Sequence, residues 1–141
     1  MSRLSAVVLI LVSLALPCSV GAQPPGDDPI ARVVFPPELV MKYSQEIGLD
    51  DGQRSAIREK VQAAQSKFLD VQWDLQEESQ KLVRLLQAKP VDEAAALAEV
   101  DKVLAFEREI KRTQIALLVR IKNVLTEPQQ AKLMELRRRT E

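Results

Sequence analysis

Residues 53–88, QRSAIREKVQAAQSKFLDVQWDLQEESQKLVRLLQA, decide the fold. Two rows of residues spaced seven apart run through them. Ile57, Ala64, Val71, Glu78 and Leu85 form one; Val61, Phe68, Leu75 and Leu82 form the other. Only Glu78 breaks their apolar character. Such a/d-like spacing, sustained over four heptads, makes one long helix with a seam for a second helix. Asp50 is a good N-cap for it, and Gln53 three residues later completes a capping box. Lys89-Pro90 interrupts it after about Ala88, since proline cannot continue a helix. At roughly 1.5 Å per residue the helix is about 55 Å long.

A matching segment follows at once. Asp92 caps a third helix reaching about Val124, with rows Ala96, Val103, Ile110, Leu117, Val124 and Val100, Glu107, Gln114, Ile121. Seams of similar length joined by a few residues predict an antiparallel hairpin. Upstream, Phe35, Leu39, Tyr43 and Ile47 recur every four residues, which predicts a first helix from about Pro37 to Ile47, with Gly48 in the left-handed position that ends it. Downstream, Leu125-Thr126-Glu127-Pro128-Gln129 opens a short fourth helix. Thr126 is its N-cap, Pro128 lies in the first turn, and Gln129 closes a second capping box. Glu127 lies near the positive end of its dipole and Arg137, Arg138 and Arg139 near the negative end; the arginine run is expected as a solvated last turn. No strand signal competes. The fold class is all-α: four helices with a long central antiparallel hairpin, in a helical domain spanning 37–141.

The start of the chain has a different character. Arg3, the apolar run Leu4 to Leu16, Pro17 and the small residues Ser19 to Ala22 form, in that order, a secretory signal peptide over 1–22. Val20 and Ala22 suit the −3 and −1 positions, placing cleavage near Ala22-Gln23. The run is too short for a membrane span, which needs roughly 20 apolar residues, so no stable membrane insertion is expected. A lipidated Cys18 is disfavoured by the adjacent Pro17. Residues 23–37 hold five prolines and a glycine, and 23–36 are expected to be a flexible tether.

Removing 22 of the 141 residues leaves 119, with 19 basic against 20 acidic residues. One domain fits that length, and the balance argues against a nucleic-acid binder. Cys18, the lone cysteine, leaves with the signal, and the chain has no histidine. Triads and thiol proteases need a base, usually histidine, beside the nucleophile. Phosphate cradles need a glycine-rich loop, and transition metals favour imidazole or thiolate. The paired carboxylates have structural roles available: Asp27-Asp28 in the tether, Asp50-Asp51 at a helix start, and Glu77 within reach of Lys81 at i, i+4. An enzyme, a cofactor and a metal site are therefore not expected.

One feature lies outside the hairpin seam. At about 100° per residue, Trp73 points almost opposite the stripe of Val61, Phe68 and Leu75, with Leu69 beside it among Gln62, Ser66, Gln76 and Gln80. Either the first or fourth helix covers this island, or a second subunit or client protein does. On the third helix Leu97, Leu104 and Ile115 flank one side of the seam and Phe106 the other. Leu69, Trp73, Leu104 and Phe106 are thus candidate partner or client contacts, and two apolar faces on a thin hairpin suggest association.

The boxes Leu49-Asp50-Asp51-Gly52-Gln53 and Leu125-Thr126-Glu127-Pro128-Gln129 resemble the twin LTxxQ motifs of the Spy/CpxP family of bacterial periplasmic proteins. The second copy matches fully, while the first has Asp50 in place of threonine. The motif positions Leu49, Asp50, Gln53, Leu125, Thr126 and Gln129 flank the hairpin as they do in that family, and the likeness spans about Pro37 to Arg139. The resemblance implies a cradle-shaped homodimer in the periplasm. It also implies an ATP-independent chaperone that holds unfolding envelope proteins. An alternative is a regulatory partner of an envelope-stress sensor kinase or anti-sigma factor. A third is a metal sensor, disfavoured because the mature chain has neither histidine nor cysteine.

Overall fold

Side chains that answer free N–H groups start the three longest helices in the computed structural model, which describes residues 29–140. Asp50 accepts from Gln53 N at the start of α3 (Asp51–Gln87). Asp92 accepts from Ala95 N at the start of α4 (Glu93–Val124). Thr126 accepts from Gln129 N at the start of α5 (Glu127–Arg138). Two shorter helices precede them, α1 (Pro29–Val33) and α2 (Pro37–Lys42). The all-α class and the long α3–α4 hairpin match expectation, and every described regular element is helical.

The first expected helix is shorter than its apolar spacing suggested. α2 stops at Lys42 and the chain continues in turns, with Ile47 N donating to Tyr43 O at 3.0 Å and Leu49 N to Ser44 O at 2.9 Å. The apolar row still faces inward, because Phe35, Tyr43 and Ile47 are buried and Leu39 packs against them. Gly48 takes φ 63°, the left-handed conformation that lets the chain turn into α3.

The main core sits at one end of the hairpin. Phe35, Val40, Ile47, Leu49, Ile57, Ile121, Leu125 and Leu133 close on one another there. From about residue 62 to residue 116 the molecule is an arm two helices thick. Its deeply buried positions are few and mostly small: Ala64 and Val71 from α3, Ala96 and Glu99 from α4. Along the second row of α4, Glu107 and Gln114 are exposed, so mid-arm contact rests on the half-buried Val103 and Ile110.

The expected tether is corrected by residues 29–36. Pro29–Val33 is a helix turn, Val34 is buried, and Phe35 is 1% exposed in the core. Arg137 holds this strap down. Its guanidinium donates to Ala31 O at 2.7 Å and Val34 O at 2.6 Å, and lies over the Phe35 ring 5.5 Å from its centroid. Lys122 Nζ donates to Val33 O at 2.8 Å. Arg137 is therefore not part of a purely solvated turn; proline blocked helix extension but left Phe35 free to reach the core. The expected signal peptide, its cleavage point and residues 23–28 lie outside the described residues. Phe35→Ala is expected to cost about 3–5 kcal/mol, read as a lowered denaturation midpoint; an unchanged midpoint would restore the tether.

Candidate functional site

The two motifs meet. Gln53 Nε2 donates to Gln129 Oε1 at 2.8 Å, and Gln129 Nε2 returns a bond to Gln53 Oε1 at 2.9 Å. Each amide also serves its own helix: Gln53 Oε1 accepts from Asp50 N at 3.2 Å, and Gln129 Oε1 from Thr126 N at 2.9 Å. The remaining N–H bonds cross to the other box, from Gln53 to Val124 O at 2.9 Å and from Gln129 to Gly48 O at 3.4 Å. Both carbonyls belong to the residue two before the other motif's N-cap. Each glutamine thus fills two donor and two acceptor positions, the full complement of a primary amide.

Leu49 and Leu125, the first residues of the motifs, are buried directly beneath. Gln130 Nε2 adds bonds to Lys122 O and Leu125 O, both at 3.0 Å, closing the end of α4. The six motif residues therefore form a structural clasp that joins the start of α3 to the α4–α5 corner. No reactive group is positioned by it.

The four candidate contact residues do not form one patch. Two ion pairs fix the sides of the arm: Lys67 Nζ lies 3.3 Å from Glu109 Oε1, and Lys102 Nζ 3.6 Å from Glu78 Oε2. At 100° per residue these charges share one lateral side, and Phe106 belongs to that side, half-buried. The opposite lateral side carries Phe68, Leu75 and Leu82 of α3, with Leu97, Val100 and Leu104 of α4. Leu104 is 49% exposed and Leu97 is exposed with it. Leu69 and Trp73 lie on the outer face of α3, 54% and 64% exposed. No helix of the described chain covers the Trp73 island, which removes the intrachain cover considered from sequence. Beside it Gln76, Ser79, Gln80, Val83 and Arg84 line an open groove of about 360 Å³.

A cluster that the heptad rows showed only as a break lies farther out. Glu78 and Glu99 face each other across the seam, their side chains 13% and 7% exposed. Lys81 lies 2.5 Å from Glu78 and 2.8 Å from Glu77. Lys102 lies 2.9 Å from Glu99. A hydrogen bond from the Glu99 side chain, then Lys81, lowers the Glu78 carboxyl to about 2, and the acidic partners raise both lysines. Glu99 escaped the sequence reading because it sits beside the heptad rows and not in them. Among the described residues no group of three or more histidine, cysteine, aspartate or glutamate side chains is placed to hold a metal ion. No described helix is long and apolar enough to cross a membrane.

The clasp is open to a direct energetic test. Gln53→Ala and Gln129→Ala should each destabilise the chain by about 1–3 kcal/mol through unpaired polar groups. The double variant should cost less than their sum by at least about 0.5 kcal/mol. Strict additivity in denaturant melts would show that the two boxes act separately.

A family model described as heavy-metal resistance matches residues 5–132. No curated protein and no solved structure shows a significant match. A match over most of the sequence, together with the all-helical hairpin, places the chain plainly: it belongs to the heavy-metal-resistance family, an all-helical family of Spy/CpxP-like proteins.

Proposed function

We propose that this protein is an exported, periplasmic holdase that binds unfolding envelope proteins without ATP. The observation that carries the proposal is the apolar lateral side of the arm, where Leu97 and Leu104 stand exposed beside half-buried Phe68, Leu75 and Val100. Contiguous apolar surface of this kind marks an interaction site, while the ion-paired opposite side stays compatible with water. A second copy laid along part of that side gives the cradle-shaped homodimer, and the rest is left for a client. The signal-like start of the sequence supports export to a compartment without ATP, which suits holding over ATP-driven refolding. In this reading heavy-metal resistance comes from protecting proteins that metals unfold.

The family description itself favours a second reading, direct metal handling. It would have to use oxygen ligands, since the described residues contain neither histidine nor cysteine. Titration calorimetry with nickel, zinc and copper separates the two: the holdase reading expects no site tighter than roughly micromolar, since carboxylates are poor ligands for these metals. A tight site would move the function to metal binding. A regulatory protein docking on a sensor domain would instead give one dominant partner on crosslinking.

Aggregation of a denatured client should be suppressed at modest molar excess. Leu97→Asp with Leu104→Asp should weaken that suppression several-fold while helicity is retained. Trp73→Ala should change stability by less than about 1 kcal/mol because the ring is exposed, and any loss of protection by it extends the client surface onto the outer face of α3. No suppression by the parent chain across several clients and salt concentrations would sink the holdase reading.

A further inference from the structure

A second row at coiled-coil spacing runs along the outer face of α3. Leu69, Trp73, Gln76, Gln80, Val83 and Gln87 stand four and three residues apart in alternation, and Gln62 and Ser66 continue the row towards the base. At 100° per residue the row lies opposite the seam that packs on α4. Every member is exposed and none is charged. Its 26 residues span roughly 40 Å, and alternating spacing sustained that far suits the knobs of another long helix. The groove on this face has the matching shape. Gln76, Ser79, Gln80 and Val83 line it, and residues at i, i+3, i+4 and i+7 are the four that bound one hole.

The flanks of the row identify the helix that fits. On one flank Gln72, Ser79 and Leu86 carry no charge; on the other Asp70, Glu77 and Arg84 follow one another seven residues apart. Lys81 of the same helix holds Glu77 at 2.8 Å. Asp70 and Arg84 have no ion-pair partner among the described residues. Two copies of α3 laid antiparallel along this row bring their charged flanks together. With the two-fold axis near residue 78, Trp73 of each copy meets Val83 of the other, and Gln76 meets Gln80 beside the axis. Asp70 then comes within about two residues, roughly 3 Å of rise, of the level of Arg84, while each Glu77 keeps its own Lys81. Sliding one copy by a heptad towards the base sets Asp70 against Glu77. Sliding it the other way sets Trp73 against the turn at Pro90. A parallel pair faces Asp70 and Arg84 with the uncharged flank. Of these arrangements only the first answers both charges.

We propose that the outer face of α3 docks a second copy of this chain antiparallel, held in register by Asp70–Arg84 ion pairs and by Gln76–Gln80 amide pairs. Leu69 and Trp73, exposed in the single chain, supply most of the apolar area that the contact removes from water. The amides weaken the seam relative to an apolar one and fix its alignment, as polar residues at such positions do. The side chains of Gln76 and Gln80 make no hydrogen bond within the described chain, so their donors and acceptors are left for the other copy. This face is separate from the lateral side that bears Leu97 and Leu104. Both can be occupied together, and the inference does not rest on the holdase reading.

Trp73 is the sole tryptophan of the chain, so its emission reports directly on this face. The test measures sedimentation equilibrium and tryptophan fluorescence of the full chain over one concentration series. Association should depend on concentration, and the emission should move to shorter wavelength in step with it as the ring leaves water. Asp70→Arg and Arg84→Asp should each raise the dissociation constant by about tenfold. The two together should restore it to within about threefold of the parent. Both side chains are exposed, so helicity should be unchanged by circular dichroism. Should a variant lose helicity, Asp70→Asn and Arg84→Gln replace it, each weakening association by a smaller factor.

A chain that stays monomeric at every concentration overturns the proposal. So does association without a shift in Trp73 emission, and its loss in Leu97→Asp with Leu104→Asp would then place the contact on the lateral side. A double charge variant as weak as either single one overturns the antiparallel register. An emission shift caused by a denatured client, with copies that never associate, gives the face to clients and overturns the proposal as well.

Discussion

The reciprocal amide pair of Gln53 and Gln129 is the contact on which the architecture rests. A 37-residue helix and a 32-residue helix joined only at their far tip would splay freely at the other end. The clasp opposes that by tying the two helix starts to each other. The amide of Gln53 completes the cap of α3 and at the same time reaches Val124 O and Gln129, and that of Gln129 completes the cap of α5 while reaching Gly48 O and Gln53. Local capping and long-range closure thereby become one cooperative event. The motif occurs twice because the joint has two nearly equivalent halves.

Beneath the clasp the apolar core has the same dual origin. Leu49 and Leu125 come from the motifs, Ile57 and Ile121 from the facing ends of the hairpin, and Leu133 from α5. The strap adds Phe35 from outside the helical domain proper, held by backbone carbonyls that accept from Arg137 and Lys122. Stability is accordingly concentrated at the base. The arm has Ala64, Val71 and Ala96 where a thicker protein would have large side chains, so local opening there costs less than global unfolding. Surfaces that bind other chains are drawn from such regions.

Most of the helix boundaries were legible because they are local. A cap, a capping box or a proline acts within four residues, and Asp50, Asp92, Thr126 and Pro90 stand where the long helices start or stop, whereas Gly48 takes its left-handed turn six residues past the end of α2. The seam was legible where its side chains are apolar. What escaped depends on partners distant in sequence. Proline density in 23–36 spoke against helix, but nothing local says that Phe35 finds a core built from residues beyond 120, or that Arg137 reaches Ala31. The motifs were recognised as caps, yet the cross-pairing of Gln53 and Gln129, 76 residues apart, has no sequence signal beyond the repeated motif itself. Glu78 showed as a break in a heptad row, and only the antiparallel register supplies Glu99. The candidate contacts divided for a similar reason: helical angle places Leu104 and Phe106 on opposite sides of the seam, but which side is charged is set by the Lys67–Glu109 ion pair.

The acidic cluster also bears on the heavy-metal association of the family. A divalent cation at Glu78 and Glu99 would have to displace Lys102 from 2.9 Å and compete with Lys81 at 2.5 Å. Those ammonium groups already neutralise most of the negative charge a metal would seek, and a rigid helix pair cannot bring in further carboxylates without unwinding. Oxygen ligands in such a setting are weak for soft or borderline metals. The arm's chemistry therefore offers apolar contact more readily than coordination, through a thin helical pair on one side of which Leu97 and Leu104 stand exposed.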